Sequence, residues 1–493
     1  MIDKYSEMNN PEKWYDMADM KTLRGWFGQT RNCPACGRMH GLHTRMMEQE
    51  PDMALNIGKY LAALGLRGRC LVVMDENTKV AAGNALMEGL GAYRPTAVVY
   101  TRTDLHADEQ ALGTLLTAMS GRPDFLVSCG SGTLTDITRY NSFMTGIPFV
   151  SFATAASVDG FASGSAPLLV KGFKATYPAA APEGIFYDPL VLARAPQQMT
   201  AAGFGDVLAK VLAILDWRLA YAAEDEDYCP LIAALVDRAV QDCLDLADDL
   251  AIRADGEKAD GAAANKNPDQ GKAQENAMKN KGEACSRLME TLALTGMAMQ
   301  MMGNTRPASG AEHHISHLLE MRDIQMHRLG SLHGDKVGIG TLIGMYMYLR
   351  LFDGGKMPEQ RPTMDPVTWE AEVRRVYGPL AEHALAINPS EPPRGHEWDE
   401  QKRQLEIAMN AYGFAAVERF RTLLPVARDK ILAMGGPVRP EQLGYSVQEA
   451  YDAIAFGKEV RPKFTTLRLA ERYGWIYDLA DEISQGLATG TIY

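Results

Sequence analysis

Five of the ten histidines in this 493-residue chain fall within one stretch, SGAEHHISHLLEMRDIQMHRLGSLHG, from Ser309 to Gly334. His313 and His317 are four residues apart in a segment of helical character, so their imidazoles share one face, while His314 points about 100° away. His333, in LHGDKVGIG, opens a further helix after a glycine-bearing turn. The spacing is not the short H-E-x-x-H of zinc peptidases, so a metal centre built on these rings needs a third ligand from elsewhere. AAGFGDVLAKVLAILDWRLA offers one: Asp206 reads as a first-turn residue of an otherwise apolar helix, where a buried carboxylate is costly without a cation or several donors. The competing reading of Asp206 is a helix-start aspartate that satisfies free backbone N–H groups. Two imidazoles and a carboxylate, with a position left open for water or a substrate oxygen, suit a divalent Lewis acid, and zinc, iron and nickel all fit such a set.

A second kind of chemistry is written in the glycines. DFLVSCGSGTLTDITRY places Gly130, Ser131 and Gly132 directly after an apolar strand and before a helix that begins near Thr133. Small residues there let backbone N–H groups approach a pyrophosphate, which the positive end of the helix also favours. The run lacks the third glycine of the usual dinucleotide fingerprint, so an ordinary tight turn competes with this reading. The turn FATAASVDGFASGSA, at the end of the next strand, adds hydroxyl donors at Thr154, Ser157 and Ser163. Asp75, which ends LVVMD, is placed either to accept from an adenosine ribose or to cap the following helix.

These residues need a frame. CLVVMDEN, TAVVY, DFLVSCG and PFVSFAT are short apolar runs separated by helix-like segments such as TKVAAGNALMEGL and DEQALGTLLTAMS, the pattern of a parallel sheet covered on both faces. APLLVKGFKATYPAA alternates around Lys171-Gly172 as a hairpin, and GIFYDP gives a last short strand. After about Pro196 apolar positions recur at three- and four-residue intervals, which predicts an all-helical second half. Residues 254–282 are poor in large apolar side chains and read as a mobile surface insertion between two helices.

Composition narrows the partners. A formal net charge of −12 disfavours nucleic acid and anionic lipid surfaces, and no run approaches the apolar length of a membrane span. The acidic, aromatic start is unlike a secretory or transit peptide, so a cytoplasmic location is expected. Seven scattered cysteines read as reduced thiols and not as a disulfide framework. Within NCPACGRMHGLH, however, Cys33, Cys36, His40 and His43 have ligand types and spacing compatible with a small zinc site, against the alternative of a loop with free thiols.

GSGTLTD, FATAASVDGFAS, AAGFGDVLAKVLAILDW, RPASGAEHHISH and LHGDKV, in this order, closely resemble the sn-glycerol-1-phosphate dehydrogenases, above all their bacterial branch, within the superfamily of glycerol dehydrogenases and iron-containing alcohol dehydrogenases. The likeness is good from Cys70 to Gly340 and loose over the remaining helices. It implies a Rossmann-like α/β dinucleotide-binding domain over residues 1–195 and an all-α metal- and substrate-binding domain over 196–493, the dehydroquinate synthase-like architecture. It implies a metal held by Asp206, His313 and His333, with zinc or nickel ahead of iron. It implies dinucleotide contacts from Gly132, Thr133, Leu134, Thr135 and Asp136, from Thr154, Ala155, Ala156 and Ser157, and from Ser163, with substrate contacts from Asp159, Asp206 and His317. The activity implied is reduction of dihydroxyacetone phosphate to sn-glycerol 1-phosphate by NADH or NADPH in a homodimer.

Individual side chains carry expectations of their own. His317 positions a substrate hydroxyl or relays a proton, Arg306 and Lys336 are candidates for the substrate phosphate, and His314 and His327 are packing or surface residues. Asp75 favours NADH by repelling a 2′-phosphate, a preference that a nearby arginine reverses. The alternatives are a dehydrogenase acting on unphosphorylated glycerol, a phosphate ester enzyme with elimination after oxidation, and a non-catalytic module that binds metal and nucleotide.

Overall fold

The computed structural model describes residues 12–251, 268–388, 393 and 395–492. Ten strands occur among them: β1 (Gln29–Asn32), β2 (Met39–Leu42), β3 (Met46–Gln49), β4 (Cys70–Asp75), β5 (Thr96–Tyr100), β6 (Phe125–Gly130), β7 (Phe149–Ala153), β8 (Ser165–Val170), β9 (Phe173–Pro178) and β10 (Gly184–Tyr187). Six form one sheet in the order β3-β10-β7-β6-β4-β5, with every pairing parallel. Strands β6, β7 and β10 are buried along their whole length, as helix-covered parallel strands must be. The chain leaves β4 towards β5 on one side and returns to β6 on the other, so the crevice between β4 and β6 is where the strand order reverses, the position at which such sheets bind ligands. Asp75 and Gly130 end the two strands that flank it.

Strands β8 and β9 form the expected hairpin. Lys171 and Gly172 take φ values of 51° and 77°, the paired left-handed conformation that matches the twist of the flanking strands. The strands β1, β2 and β3 go beyond the sequence expectation, since each is only four residues long and none alternates cleanly.

No strand follows Tyr187 among the described residues. The helices Gln197–Leu208 and Lys210–Glu224 run almost continuously through the second half. Together they are long and apolar enough to cross a membrane, yet 83% of their most apolar window is buried inside the fold, which marks a core helix. Around them stand the helices Pro230–Asp245, Pro268–Met302, Ala311–Gln325 and His333–Leu351. Trp14, Trp26, Cys33 and Leu42 bury in the same core as Leu231 and Leu288, so the opening segment lies against the helices.

The insertion expected over residues 254–282 is corrected in part. Residues 254–267 lie outside those described, but from Pro268 the chain is helical, the start of a long helix that reaches Met302. Its later turns are anchored: Lys281 is buried and donates to Gln197 Oε1 at 2.9 Å, while Gly282 abuts the backbone of Pro189. The helix then docks through an apolar face, with Cys285, Leu288, Met289 and Leu292 fully buried in the core.

Candidate active site

Three helices meet at very close range because glycines stand where they touch. A Cβ on Gly334 would lie 1.9 Å from the carbonyl oxygen of Ala202, and one on Gly340 would lie 2.6 Å from that of Glu312. Only backbones without side chains fit there. The helix Gln197–Leu208 thereby brings Asp206, the helix Ala311–Gln325 brings His313, and the helix His333–Leu351 brings His333 to one point, with a ligand atom from each within 4.8 Å of the others. His313 Nε2 is 3.8 Å from Asp206 Oδ1.

Asp206 is not in a first turn. The helix starts at Gln197, so Asp206 falls near its carboxyl end and caps nothing. Its carboxylate is instead fully buried, accepting from the Asp159 backbone N–H at 2.9 Å and from Lys210 Nζ at 2.8 Å. Lys210 also lies 2.7 Å from Asp159 Oδ2 and so bridges two acids.

The imidazoles are held from behind. His313 Nδ1 pairs with Glu312 Oε1 at 2.8 Å, and His333 Nδ1 with Glu320 Oε1 at 2.8 Å. Glu320 Oε2 takes His317 Nδ1 at 3.0 Å and Lys174 Nζ, from β9, at 2.6 Å. With Nδ1 donating to a carboxylate, the lone pair of each ring sits on Nε2, the arrangement by which metal-binding histidines are oriented. A second grouping, His317, Glu320 and His333, also lies within ligand range. Both oxygens of Glu320 are engaged by Nδ1 atoms, whereas Asp206 faces His313 Nε2.

Electrostatics sort these groups. Burial works against ionised Asp206, but the Lys210 ammonium outweighs it and holds the pKa at about 2. Burial, reinforced by the charge of Asp206, pushes Asp159 up. Burial also keeps His313 and His317 well below the ordinary imidazole value, so both are neutral at neutral pH, the state in which they can ligate or accept. Glu320 stays well below the usual carboxylate range despite its burial, because Lys174 and His333 stand beside it.

The nucleotide loops lie on the carboxyl edge of the sheet. The helix Gly132–Thr145 starts immediately after β6, and its N-cap residue Ser131 makes no side-chain cap bond, which leaves the first N–H groups open. Thr133 is half-buried at this entrance; Leu134 packs against Gly130, and Thr135 Oγ1 turns to Ser128 Oγ at 3.2 Å. Asp136 is buried, and burial raises its pKa to about 6. Thr154, Ala155, Ala156 and Ser157 are buried after β7, and the Thr154 N–H donates to Gly130 O at 3.2 Å, stitching the two loops together. Ser163 is fixed by Arg139, whose guanidinium donates to the carbonyls of Phe161, Ser163 and Ser165 at 2.9, 3.0 and 3.0 Å. Asp75 is an N-cap: Oδ1 accepts from the Thr78 N–H at 2.7 Å in a capping box.

The two expected phosphate cations are engaged elsewhere. Arg306 is gripped by Glu226 through Nε at 2.8 Å, and Lys336 Nζ is bound to Ser331 O at 2.6 Å with Asp323 beside it. Arg461, which sequence reasoning did not single out, stands beside His317. It is half-buried with Nη2 2.7 Å from Thr176 Oγ1 and 3.4 Å from His317 Nε2, and no carboxylate stands within ion-pair distance of it among the described residues. Lys463, two residues on, donates to Thr305 Oγ1 at 2.9 Å and likewise has no acidic partner among them. Of the remaining histidines, His314 is buried and His327 is exposed.

Residues 48–196 match the family model described as iron-containing alcohol dehydrogenase. The chain is 30% identical over 470 residues to a glycerol-1-phosphate dehydrogenase [NAD(P)+] of Bacillus licheniformis, a match that covers 92% of this chain and 96% of the relative. It is 33% identical to the enzyme of that name from Geobacillus stearothermophilus, over 77% of this chain and 80% of the relative. Among solved structures, the glycerol dehydrogenase of Schizosaccharomyces pombe shares the fold with a TM-score of 0.54 at 16% identity, covering 91% of each chain.

Proposed function

The chain belongs to the glycerol-1-phosphate dehydrogenase family, and on that premise we propose that Asp206, His313 and His333 hold one divalent ion at which dihydroxyacetone phosphate is reduced to sn-glycerol 1-phosphate by NAD(P)H. The observation that carries this is the convergence of three ligand atoms within 4.8 Å, with both rings backed by carboxylates. Ligands about 2.1 Å from a tetrahedral centre stand about 3.4 Å apart, so a modest closure of the 3.8 Å His313–Asp206 separation completes the set. Two imidazoles and a carboxylate suit zinc or nickel. When bound between Asp206, His313 and His333, such an ion would supply Lewis-acid polarisation of the C2 carbonyl.

The protein's own groups do the rest. Gly130, Ser131 and Gly132 present open N–H groups to the pyrophosphate at the strand-order reversal, which brings the nicotinamide towards the helical half. The Asp75 carboxylate at the end of β4 disfavours a 2′-phosphate, and Arg102 after β5 is tied to Asp104 and Asp108, so NADH is the preferred coenzyme. His317, neutral and with Nδ1 fixed on Glu320, offers its Nε2 lone pair to a substrate hydroxyl. Arg461 and Lys463, half-buried cations beside His317 and His314 with no carboxylate at ion-pair distance among the described residues, receive the phosphate in place of Arg306 and Lys336. Asp159, fixed by Lys210, lines the same space from the nucleotide side.

Initial rates with each coenzyme test this reading. Turnover is expected with dihydroxyacetone phosphate and not with dihydroxyacetone, is expected to be lost on chelation and restored by zinc or nickel, and is expected to be absent in Asp206→Asn. Undiminished turnover after complete metal removal overturns it.

A further inference from the structure

The NCPACG turn and its two histidines take no part in the reaction, yet the fold gathers most of them. Cys33 and Cys36 lie in the connection between β1 and β2, and His40 is on β2. The fourth member comes from 196 residues away: Cys33 Sγ is 3.6 Å from Cys229 Sγ, and Cys36 Sγ is 3.1 Å from His40 Nε2. All four ligand atoms lie within 4.8 Å of one another. His43, part of the set expected from sequence, lies outside this group.

We propose that Cys33, Cys36, His40 and Cys229 form a closed structural zinc site that fastens the β1–β2 hairpin to the helical half of the protein. Sulfur ligands about 2.3 Å from tetrahedral zinc stand about 3.8 Å apart, close to the 3.6 Å found between Cys33 and Cys229. A disulfide needs about 2.05 Å between sulfurs, so these two thiols are not bonded to each other. His40 Nδ1 lies 2.7 Å from Met301 O; a carbonyl only accepts, so the proton is on Nδ1 and the Nε2 lone pair faces the sulfurs. Gly37 takes the left-handed conformation, φ 72°, that folds the turn around a centre. Cys229 is the N-cap residue of the helix Pro230–Asp245 and makes no side-chain cap bond, so its buried sulfur stays turned to Cys33. On metal binding the three thiols release their protons to solvent and the imidazole binds neutral.

The site has a structural consequence. Met301, which holds His40, is adjacent to Gln300, whose Oε1 accepts from the His43 N–H at 2.9 Å and whose Nε2 reaches Thr44 Oγ1 at 2.9 Å and the carbonyl of Ala162. The cross-link thus braces the turn Asp159–Ala162, one wall of the active site. It closes a long loop, the case in which a clamp restricts the unfolded chain most.

The test uses the full chain carrying His313→Ala, which removes a ligand of the proposed catalytic ion and leaves these four intact. One zinc per chain is expected to remain after dialysis, and X-ray absorption at the zinc edge is expected to show three sulfur and one nitrogen neighbours. Adding Cys36→Ser is expected to abolish that zinc. Absence of zinc in the His313→Ala protein, a shell of only oxygen and nitrogen, or a Cys33–Cys229 disulfide in non-reducing peptide maps overturns the proposal. Should His313→Ala not fold, the zinc edge of wild-type protein decides, because only this site contributes sulfur. The outcome is independent of whether the catalytic reading holds, which is judged by turnover.

Discussion

His333 Nδ1 lies 2.8 Å from Glu320 Oε1, across two helices, and the same carboxylate takes His317 Nδ1 at 3.0 Å. One side chain therefore sets the orientation of a proposed ligand and of a proposed substrate contact. Glu320→Gln keeps the shape but offers a single acceptor oxygen, so one ring loses its support. Metal affinity, measured by chelator competition, is expected to fall about 10–100-fold. An unchanged affinity contradicts the role given to Glu320.

Lys210 bridges Asp159 and Asp206 in a fully buried cluster. Lys210→Met leaves two carboxylates facing each other without a cation, a loss on the order of 3–5 kcal/mol for the metal-free protein. Thermal melts are expected to show a larger deficit without metal than with it, since a bound dication offsets part of the missing charge. Equal deficits in both states argue that no cation binds at Asp206.

The range of an interaction decides whether the sequence reveals it. PFVSFAT reads directly as β7 because a buried parallel strand is a continuous apolar run. The four residues QTRN of β1, all exposed, carry no such signal, and the turn after them sets Cys33 Sγ 3.6 Å from Cys229 Sγ, far along the chain. The start of the Asp206 helix is set by Pro196, which in the sequence looks only like a domain limit, and so the aspartate falls later in the helix than expected. Glu320 was within reach, being one turn beyond His317 on the same helix face. Arg461 was not, because 144 residues separate it from His317 and nothing local distinguishes it from a surface arginine.

Gly334 follows a proposed ligand and stands against the Ala202 carbonyl, with room for no side chain. Gly334→Ala must push the helix His333–Leu351 away from the helix that carries Asp206. The metal-free fold is expected to lose about 1–3 kcal/mol from overpacking, while metal affinity falls further because the ligands no longer converge. A variant with wild-type metal affinity shows that the three helices need not touch here.

Arg461 is expected to show its role through phosphate discrimination. Arg461→Ala is predicted to raise KM for dihydroxyacetone phosphate by one to two orders of magnitude, about 1.5–3 kcal/mol for a charged hydrogen bond, with Arg461→Lys intermediate. Arg306→Ala, by contrast, is expected to act on thermal stability through the stranded Glu226 and not on KM. The reverse pattern returns the phosphate to Arg306.

Behind the histidine helix a buried ion cluster supports the turn that packs on His314, where Gly457 meets the His314 carbonyl. Glu459 accepts from Trp369 Nε1 at 2.9 Å and lies 2.9 Å from Lys458 Nζ and 3.0 Å from Arg468 Nη2. Burial alone raises a carboxyl pKa, but Lys458 and Arg468 prevail and hold this one at about 2, against 4.5 for a free glutamate side chain. Below pH 4.5 the unfolded chain takes up a proton that the folded protein refuses, so the unfolded state binds more protons and stability falls as pH drops. The contribution is complete above the unfolded value and vanishes near pH 2, about 3 kcal/mol in all. Glu459→Gln is expected to be less stable at neutral pH and to lose less on acidification, so that the two melting curves converge between pH 4.5 and 2. Parallel curves over that window mean that Glu459 is protonated, or solvated, in the folded protein.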